Sequence, residues 1–319
     1  HDIAPLRPQR FSQTNFLGFD DDDNVVRWSR EGDTLYQLAE DYRYFSVESL
    51  MNGKNVHRSI KRTYNKYHLL VSQETTCNQS VTTRTVSYHL EPGKGFLAQP
   101  AQFRMPKVQT LRYENRKTKA SREEVTTTLF DAWGNLLKHI APTGVVTVSE
   151  FYPASGAEGC PADPLGFVRF EKSRTVRAAD GLAQAAMTQL RFRYKQIGKT
   201  GEPGCDVVLE QQALYERAAE GDVLRSQTDL HYAELIAGPQ VYVVLQKQTV
   251  RQNGEDSETR FKYLIDGTTL EVQTLQVGFD QTRRESSVRT SAINGLKRSE
   301  QNEDQGRVDF TYDRLGREL

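Results

Sequence analysis

Tyr312-Asp313-Arg314-Leu315-Gly316-Arg317-Glu318-Leu319 closes the sequence, and its reading decides the fold. The approach alternates. Val308, Phe310 and Tyr312 point one way and Asp309 and Thr311 the other, the pattern of a half-buried strand. Asp313 bonds forward to the backbone to start a turn, and Gly316 supplies the positive φ that a Cβ would resist. Arg317 to Leu319 then start a return strand, expected to be an unpaired edge. A two-stranded hairpin is marginal alone in water, so neighbouring units have to complete this one.

The same pattern occurs elsewhere in degraded form. Phe130-Asp131-Ala132-Trp133-Gly134-Asn135 has Phe for Tyr and Asn for Arg, and runs on into a second turn before Gly144. Phe279-Asp280-Gln281-Thr282-Arg283-Arg284 keeps the aromatic, the acid and Arg284 but lacks the glycine. Tyr194-Lys195-Gln196-Ile197-Gly198 keeps the aromatic and Gly198 but lacks the acid. Tyr64-Asn65-Lys66-Tyr67-His68 is weaker still. Tyr-Asp-x-x-Gly-Arg resembles the YD repeat of the Rhs family. The resemblance is most specific over residues 60–175, where Arg62 to Leu70, Phe130 to Tyr152 and the Pro- and Gly-rich Tyr152 to Phe167 are similar to the YD-rich shell proteins of bacterial Tc insecticidal toxin complexes.

Composition fits a thin sheet. Hydrophobic residues make up 37% and mean hydropathy is −0.67, lean for one large core. Forty-two basic residues balance 42 acidic ones, which gives no hint of nucleic acid or an anionic membrane. No run approaches the roughly 18 apolar residues of a membrane helix, and the first residues lack the basic start and apolar core of a signal peptide. Cys77, Cys160 and Cys205 are widely spaced, so zinc ligation is not expected and at most one internal disulfide is.

The turn chemistry points to an all-β chain of consecutive antiparallel hairpins. Asn52-Gly53, Asn253-Gly254 and Asn294-Gly295 are strong hairpin signals. Asp180-Gly181, Asp266-Gly267 and Gly221-Asp222 add others. Leu209 to Glu220 has helical propensity, but Leu209, Gln211, Ala213 and Tyr215 alternate with polar neighbours, which favours a hairpin. Two long loops are expected, Leu90 to Pro106 and Pro153 to Phe167. Residues 1–45 read as a lead-in segment that either packs on the first hairpins or closes a preceding domain. They carry the acidic run Asp20 to Asp23 and a short helix from Asp33 to Asp41. Residues 46–319 read as the repeat segment, cut off within a repeat and so a piece of something longer.

No motif points to catalysis, metal or cofactor. Asp20-x-Asp22-x-Asn24 opens like a calcium loop, but Val25 stands where glycine is needed and Gly32 where glutamate is needed. Glu91-Pro92-Gly93-Lys94-Gly95 lacks the order of a phosphate loop. The six histidines are scattered singly, and Trp28 and Trp133 read as packing residues. Asp163-Pro164-Leu165-Gly166 matches an Asp-Pro-x-Gly motif at which Rhs proteins cleave themselves. Here it stands mid-chain without a second carboxylate motif, so a plain Pro-Gly turn is expected.

The residues singled out are therefore structural: Phe130, Asp131, Gly134, Asn135, Tyr194, Gly198, Phe279, Asp280, Arg284, Tyr312, Asp313, Gly316 and Arg317. The resemblance implies a spiralling sheet that forms one section of a cocoon around a toxic C-terminal cargo. It implies as partners further shell repeats or a companion shell subunit, the enclosed toxin, and a translocation component. It also implies secretion or delivery from a bacterium. The other reading is an extracellular module that binds carbohydrate or a cell surface, since YD repeats also occur in large surface proteins.

Overall fold

The computed structural model describes residues 2–5, 34–179, 186–200, 204–218, 221–304 and 306–319. The acidic run, Trp28, the Asp33 cap and the Asp180-Gly181 turn lie outside them. The described chain is all-β apart from two short 3-10 turns, Thr34–Gln37 and Phe96–Ala98. The expected helix over Asp33 to Asp41 is reduced to the first of these. A span of nine residues is short for an α-helix, and only the four residues of this single turn form.

Contacts divide the chain into two units. The first holds His1–Val148 with Ala178–Leu182, the second Ser149–Arg177 with Ala183–Leu319. The strands of the first unit are β1 (Asp2–Pro5), β2 (Arg43–Asn52), β3 (Asn55–Asn65), β4 (Leu70–Cys77), β5 (Ser80–Tyr88), β6 (Pro106–Asn115), β7 (Ser121–Phe130), β8 (Leu136–Ile140) and the start of β9 (Val146–Phe151). Each is antiparallel to the next in sequence. The second unit holds β10 (Glu171–Arg177), β11 (Met187–Gly198), β12 (Cys205–Ala218), β13 (Gly221–Ala237), β14 (Gln240–Gln252), β15 (Glu255–Asp266), β16 (Thr269–Val277), β17 (Arg283–Ser291), β18 (Lys297–Gln301) and β19 (Arg307–Asp309). They too pair with their sequence neighbours. Leu209 to Ala218 is strand, as its alternation indicates.

The turn chemistry acts where expected at Asn253-Gly254. Gln252 faces Glu255, and both loop residues take positive φ, 54° and 84°, as a two-residue type I′ turn requires. At Asn52-Gly53 the loop is displaced by one residue. Asn52 still pairs with Asn55, so Gly53 and Lys54 make the turn.

Few side chains are fully buried, which is what a lean composition permits. In the first unit they gather where residues 35–42 and the loop before β6 cover the first hairpins. Leu35, Tyr42, Tyr67 and Phe103 are all at most 8% exposed. Phe96 stacks on Tyr36 at 4.6 Å and meets Phe103 edge-on at 5.7 Å. Buried Lys66 ties the same segment down, donating to Leu38 O (3.1 Å) and Glu40 Oε1 (2.8 Å). In the second unit Tyr152, Cys160, Phe192 and Ala213 are the buried set.

Candidate functional site

One turn recurs, and it accounts for the motif residues around Asp131 and Asp313. At Asp131, the residue 131 N–H donates to Asn135 O (3.0 Å) and Gly134 N–H donates to Asp131 O (3.1 Å). Gly134 has φ +84°. This is a three-residue loop made of a type I turn followed by a left-handed residue, a geometry that joins strands with the right-handed twist of a sheet. Asp131 Oδ1 accepts the N–H groups of Trp133 and Asn135, both at 2.9 Å, and its Oδ2 accepts Asn135 Nδ2 at 2.9 Å. One carboxylate thus satisfies the loop amides that the ladder leaves open.

Asp313 repeats this group by group. Its Oδ1 accepts Leu315 N–H (2.8 Å) and Arg317 N–H (3.0 Å), and Arg317 Nε donates to Oδ2 at 2.7 Å. Gly316 has φ +78°. The bonds from Arg317 hold the Asp313 carboxyl below the usual carboxylate range. The return arm is not the unpaired edge expected from sequence. Tyr312 bridges Glu318, and Leu319 N–H donates to Thr311 O at 3.0 Å. The closed turn brings residues 317–319 back onto the strand that precedes it.

Two further copies are more complete than their sequences suggest. Asn65 Oδ1 accepts Tyr67 and Leu69 N–H, both at 3.0 Å, and His68 takes the left-handed position at φ +60°. Asp163 Oδ1 accepts Leu165 (2.8 Å) and Phe167 (3.1 Å), and Gly166 has φ +74°. Arg169 Nε reaches Asp163 Oδ2 at 2.5 Å. Burial alone would raise the Asp163 pKa, but the bonds from Phe167, Arg169 and Leu165 outweigh it and hold it low. Asp163 is therefore an anchored turn residue of the same kind, more than the plain Pro-Gly turn expected.

Two expected copies are corrected. Phe279-Asp280 is out of frame. The turn starts at Gly278, Gln281 takes the left-handed position at φ +64°, and Asp280 sits in mid-loop bonded to Thr282. Phe279 is 67% exposed, so its ring packs little. Arg284 lies on β17, paired with Glu303 at 3.1 Å. Tyr194 to Gly198 is no turn at all but the end of β11. Without an acid to anchor the loop amides, the ladder to β12 continues through it to Gly198. Tyr194 instead packs against Phe170 (4.9 Å), and burial with the nearby Glu171 charge pushes its phenol up to about 12.

The repeat aromatic has its own role. Among the described residues, six of the eight register shifts between paired strands fall directly before an aromatic residue: Tyr64, Tyr88, Phe130, Tyr194, Tyr215 and Tyr232. Three tyrosines make one further device. Between β4 and β5 the ladder ends at Ser72–Thr85, between β12 and β13 at Gln211–Asp229, and between β14 and β15 at Lys247–Arg260. Two residues before each end on one strand, and three after it on the other, a tyrosine hydroxyl closes the gap. Tyr88 donates to Leu70 O (2.8 Å), Tyr232 to Leu209 O (2.9 Å) and Tyr263 to Leu245 O (2.8 Å). Each supplies a donor to a carbonyl that the parting ladder has left, and burial raises all three phenols. These clasps keep one offset, which no turn motif in the sequence announces.

His68 Nδ1 meets Tyr44 Oη at 2.6 Å, and His89 lies edge-on to Phe130 at 6.2 Å. Cys160 is buried in the loop before β10, with its thiol pushed up to about 11 by burial and by the Asp163 charge. Among the described residues no group of three or more His, Cys, Asp or Glu is placed to hold a metal, and no helix is long and apolar enough to cross a membrane.

No family model matches the chain, and no curated protein does. Among solved structures, one described as the crystal structure of TcdB2-TccC3-Cdc42 is weakly similar over 82% of this chain, with 15% identity and a TM-score of 0.31. This chain spans 14% of that one.

Proposed function

We propose that this chain is a section of shell wall of the YD-repeat kind, which screens a toxic polypeptide until delivery. The observation that carries the reading is the anchored turn at Asp131 and Asp313, with an aromatic in front and a left-handed glycine behind. In both copies the acid starts the turn and the glycine takes positive φ, as the motif requires, and the residue four after the acid bonds back to it. Such a unit joins hairpins without a large core, because each strand borrows its stability from the next. Long sheets of this kind build a barrier and need no catalytic residue. The partners are further repeats or a companion shell subunit, the cargo, and a translocation component, and the setting is secretion or delivery from a bacterium.

Limited proteolysis of the full-length protein tests this. The cargo should resist digestion while the shell is intact and become sensitive when the shell is opened by denaturant. A cargo digested as fast inside the intact protein as when free would overturn the proposal.

A further inference from the structure

We infer that the parted halves of β14 and β15 form an acceptor slot for an extended polypeptide segment, taken up as an added β-strand. The ladder between them runs only from Gln252–Glu255 to Lys247–Arg260. Past that pair, residues 240–246 of β14 keep β13 on one side, and residues 261–266 of β15 keep β16 on one side. Among the described residues neither half has a strand paired on its other edge. The register shift at His231/Tyr232 leaves Gln246 unpaired and turns β14 aside here.

Register says which backbone groups face the gap. The two-residue loops Gly238-Pro239 and Gly267-Thr268 close hydrogen-bonded pairs at Ala237–Gln240 and Asp266–Thr269. Such pairs alternate along an antiparallel ladder. Val243 and Leu245 therefore turn their N–H and C=O groups away from β13. Phe261, Tyr263 and Ile265 turn theirs away from β16. One of these groups is engaged: Leu245 O accepts the Tyr263 hydroxyl at 2.8 Å. The others have no partner among the described residues.

The edge is also bare. Open edges are normally guarded by charged side chains or proline. On β14 the order is reversed. The paired half, residues 247–252, reads Lys-Gln-Thr-Val-Arg-Gln, whereas the unpaired residues 241–245 read Val-Tyr-Val-Val-Leu, uncharged on both faces of the pleat. Short runs of that kind pair readily with another strand. Tyr242 and Ile265 are 46% and 41% exposed, so the opening is accessible. The other two partings lack this combination. β4 continues past Ser72 only through Val71 and Leu70, and the β12–β13 opening carries Asp206, Glu210 and Glu234.

Main-chain donors and acceptors on two facing edges call for an extended backbone, with uncharged β-branched side chains to pack on Val243 and Leu245. A second copy of this chain fits less well. Its β14 edge is flanked by its own β15 and held by its own Tyr263 clasp, so two openings would have to interlock. The clasp stands in the slot, and an entering strand takes over Leu245 O. The inference is independent of the shell reading, since both edges lie within this chain.

Fluorescence anisotropy of a labelled Lys-Val-Thr-Val-Thr-Val-Lys peptide with the whole chain tests it, beside the same peptide with proline at its centre. The valine peptide should bind saturably and protect the Val243 and Leu245 amides from exchange. Val243→Pro removes an N–H that β13 does not use, so the hairpin should persist while binding falls about tenfold or more. Unchanged protection of the Leu235 and Tyr242 amides shows that β13–β14 is intact. Tyr263→Phe removes the competing bond and should strengthen binding about fivefold. Absence of saturable binding, equal binding of the proline peptide, or unchanged affinity in Tyr263→Phe would each overturn the assignment. So would a dimer of the free chain in sedimentation that Val243→Pro abolishes, because the edge would then belong to a second copy.

Discussion

Tyr232→Phe isolates a clasp. The substitution removes one oxygen and leaves the ring in place, so packing is conserved and only the bond to Leu209 O at 2.9 Å is lost. A neutral hydrogen bond contributes about 1 kcal/mol net, and leaving a partly buried carbonyl without its donor brings the expected cost to about 1–2 kcal/mol. That lowers the protection of locally opening amides by a factor of about 5–30. The effect should be confined to the β12–β13 ladder near its last pair, Gln211–Asp229. A melting curve would blur it, because units that contact only their neighbours open separately. Hydrogen exchange resolved by peptide is therefore the assay. Tyr242→Phe is the control: its hydroxyl meets the Gln240 side chain, its ring is 46% exposed, and it should change nothing. If Tyr232→Phe and Tyr242→Phe give the same exchange at residues 209–229, the clasp does not hold the parted strands and the account of the repeat fails.

Asp131→Ala should cost about 1–2 kcal/mol by freeing the two loop amides it accepts, whereas Asp131→Asn should recover most of that, because Asn65 shows that an amide oxygen serves the same turn; exchange of the Trp133 and Asn135 amides reads both. Alkaline stability should fall in the loop before β10. The Tyr194 phenol stands near 12 and the Cys160 thiol near 11, both above their ordinary values. Their contribution is complete below the unfolded values and is lost as pH rises through the folded ones, so protection around Gly159 should decline between about pH 9 and 12. A thiol reagent at neutral pH should accordingly leave Cys160 unlabelled, and labelling it ahead of partly exposed Cys77 would contradict the burial seen here.

The strands were legible because alternation and turn residues are local signals. Asn253-Gly254 needs positive φ at both positions and shows it. Register was not legible, because it depends on where a ladder ends. Asn52-Gly53 names a turn, yet Gly53-Lys54 makes it. The motif reading was right where an acid or amide starts the loop and a residue tolerant of left-handed φ closes it. It failed at Tyr194, where spacing alone suggested a turn and no acid was present to anchor one. It failed at Phe279 because Asp280 bonds within the loop and Gly278 starts it. The Asn65 copy was undervalued because His68 fills the place of glycine, and a left-handed histidine is uncommon enough to be discounted. The clasps left no local signal, since each joins residues 18 or 23 apart.

Turn, register shift and clasp make one argument about how a lean sequence builds a wide sheet. A register shift increases local twist, and increased twist parts neighbouring strands. Parted strands expose carbonyls that a small core has no apolar cover for. A tyrosine hydroxyl can satisfy such a carbonyl on the strand beside it. Tyr88 and Tyr232 each stand at a shift in the ladder on one side and clasp the strand on the other, and Tyr263 clasps without a shift. Phe130 has no hydroxyl to offer, and at that position the next turn is anchored at once by Asp131. The clasping tyrosines and the acid of the turn motif are thus two ways to satisfy backbone groups that the ladders leave open, one across the sheet and one within the loop. A sheet assembled this way closes its backbone hydrogen bonds with residues of the strands and turns themselves, so each strand is held by its neighbours and little core is needed.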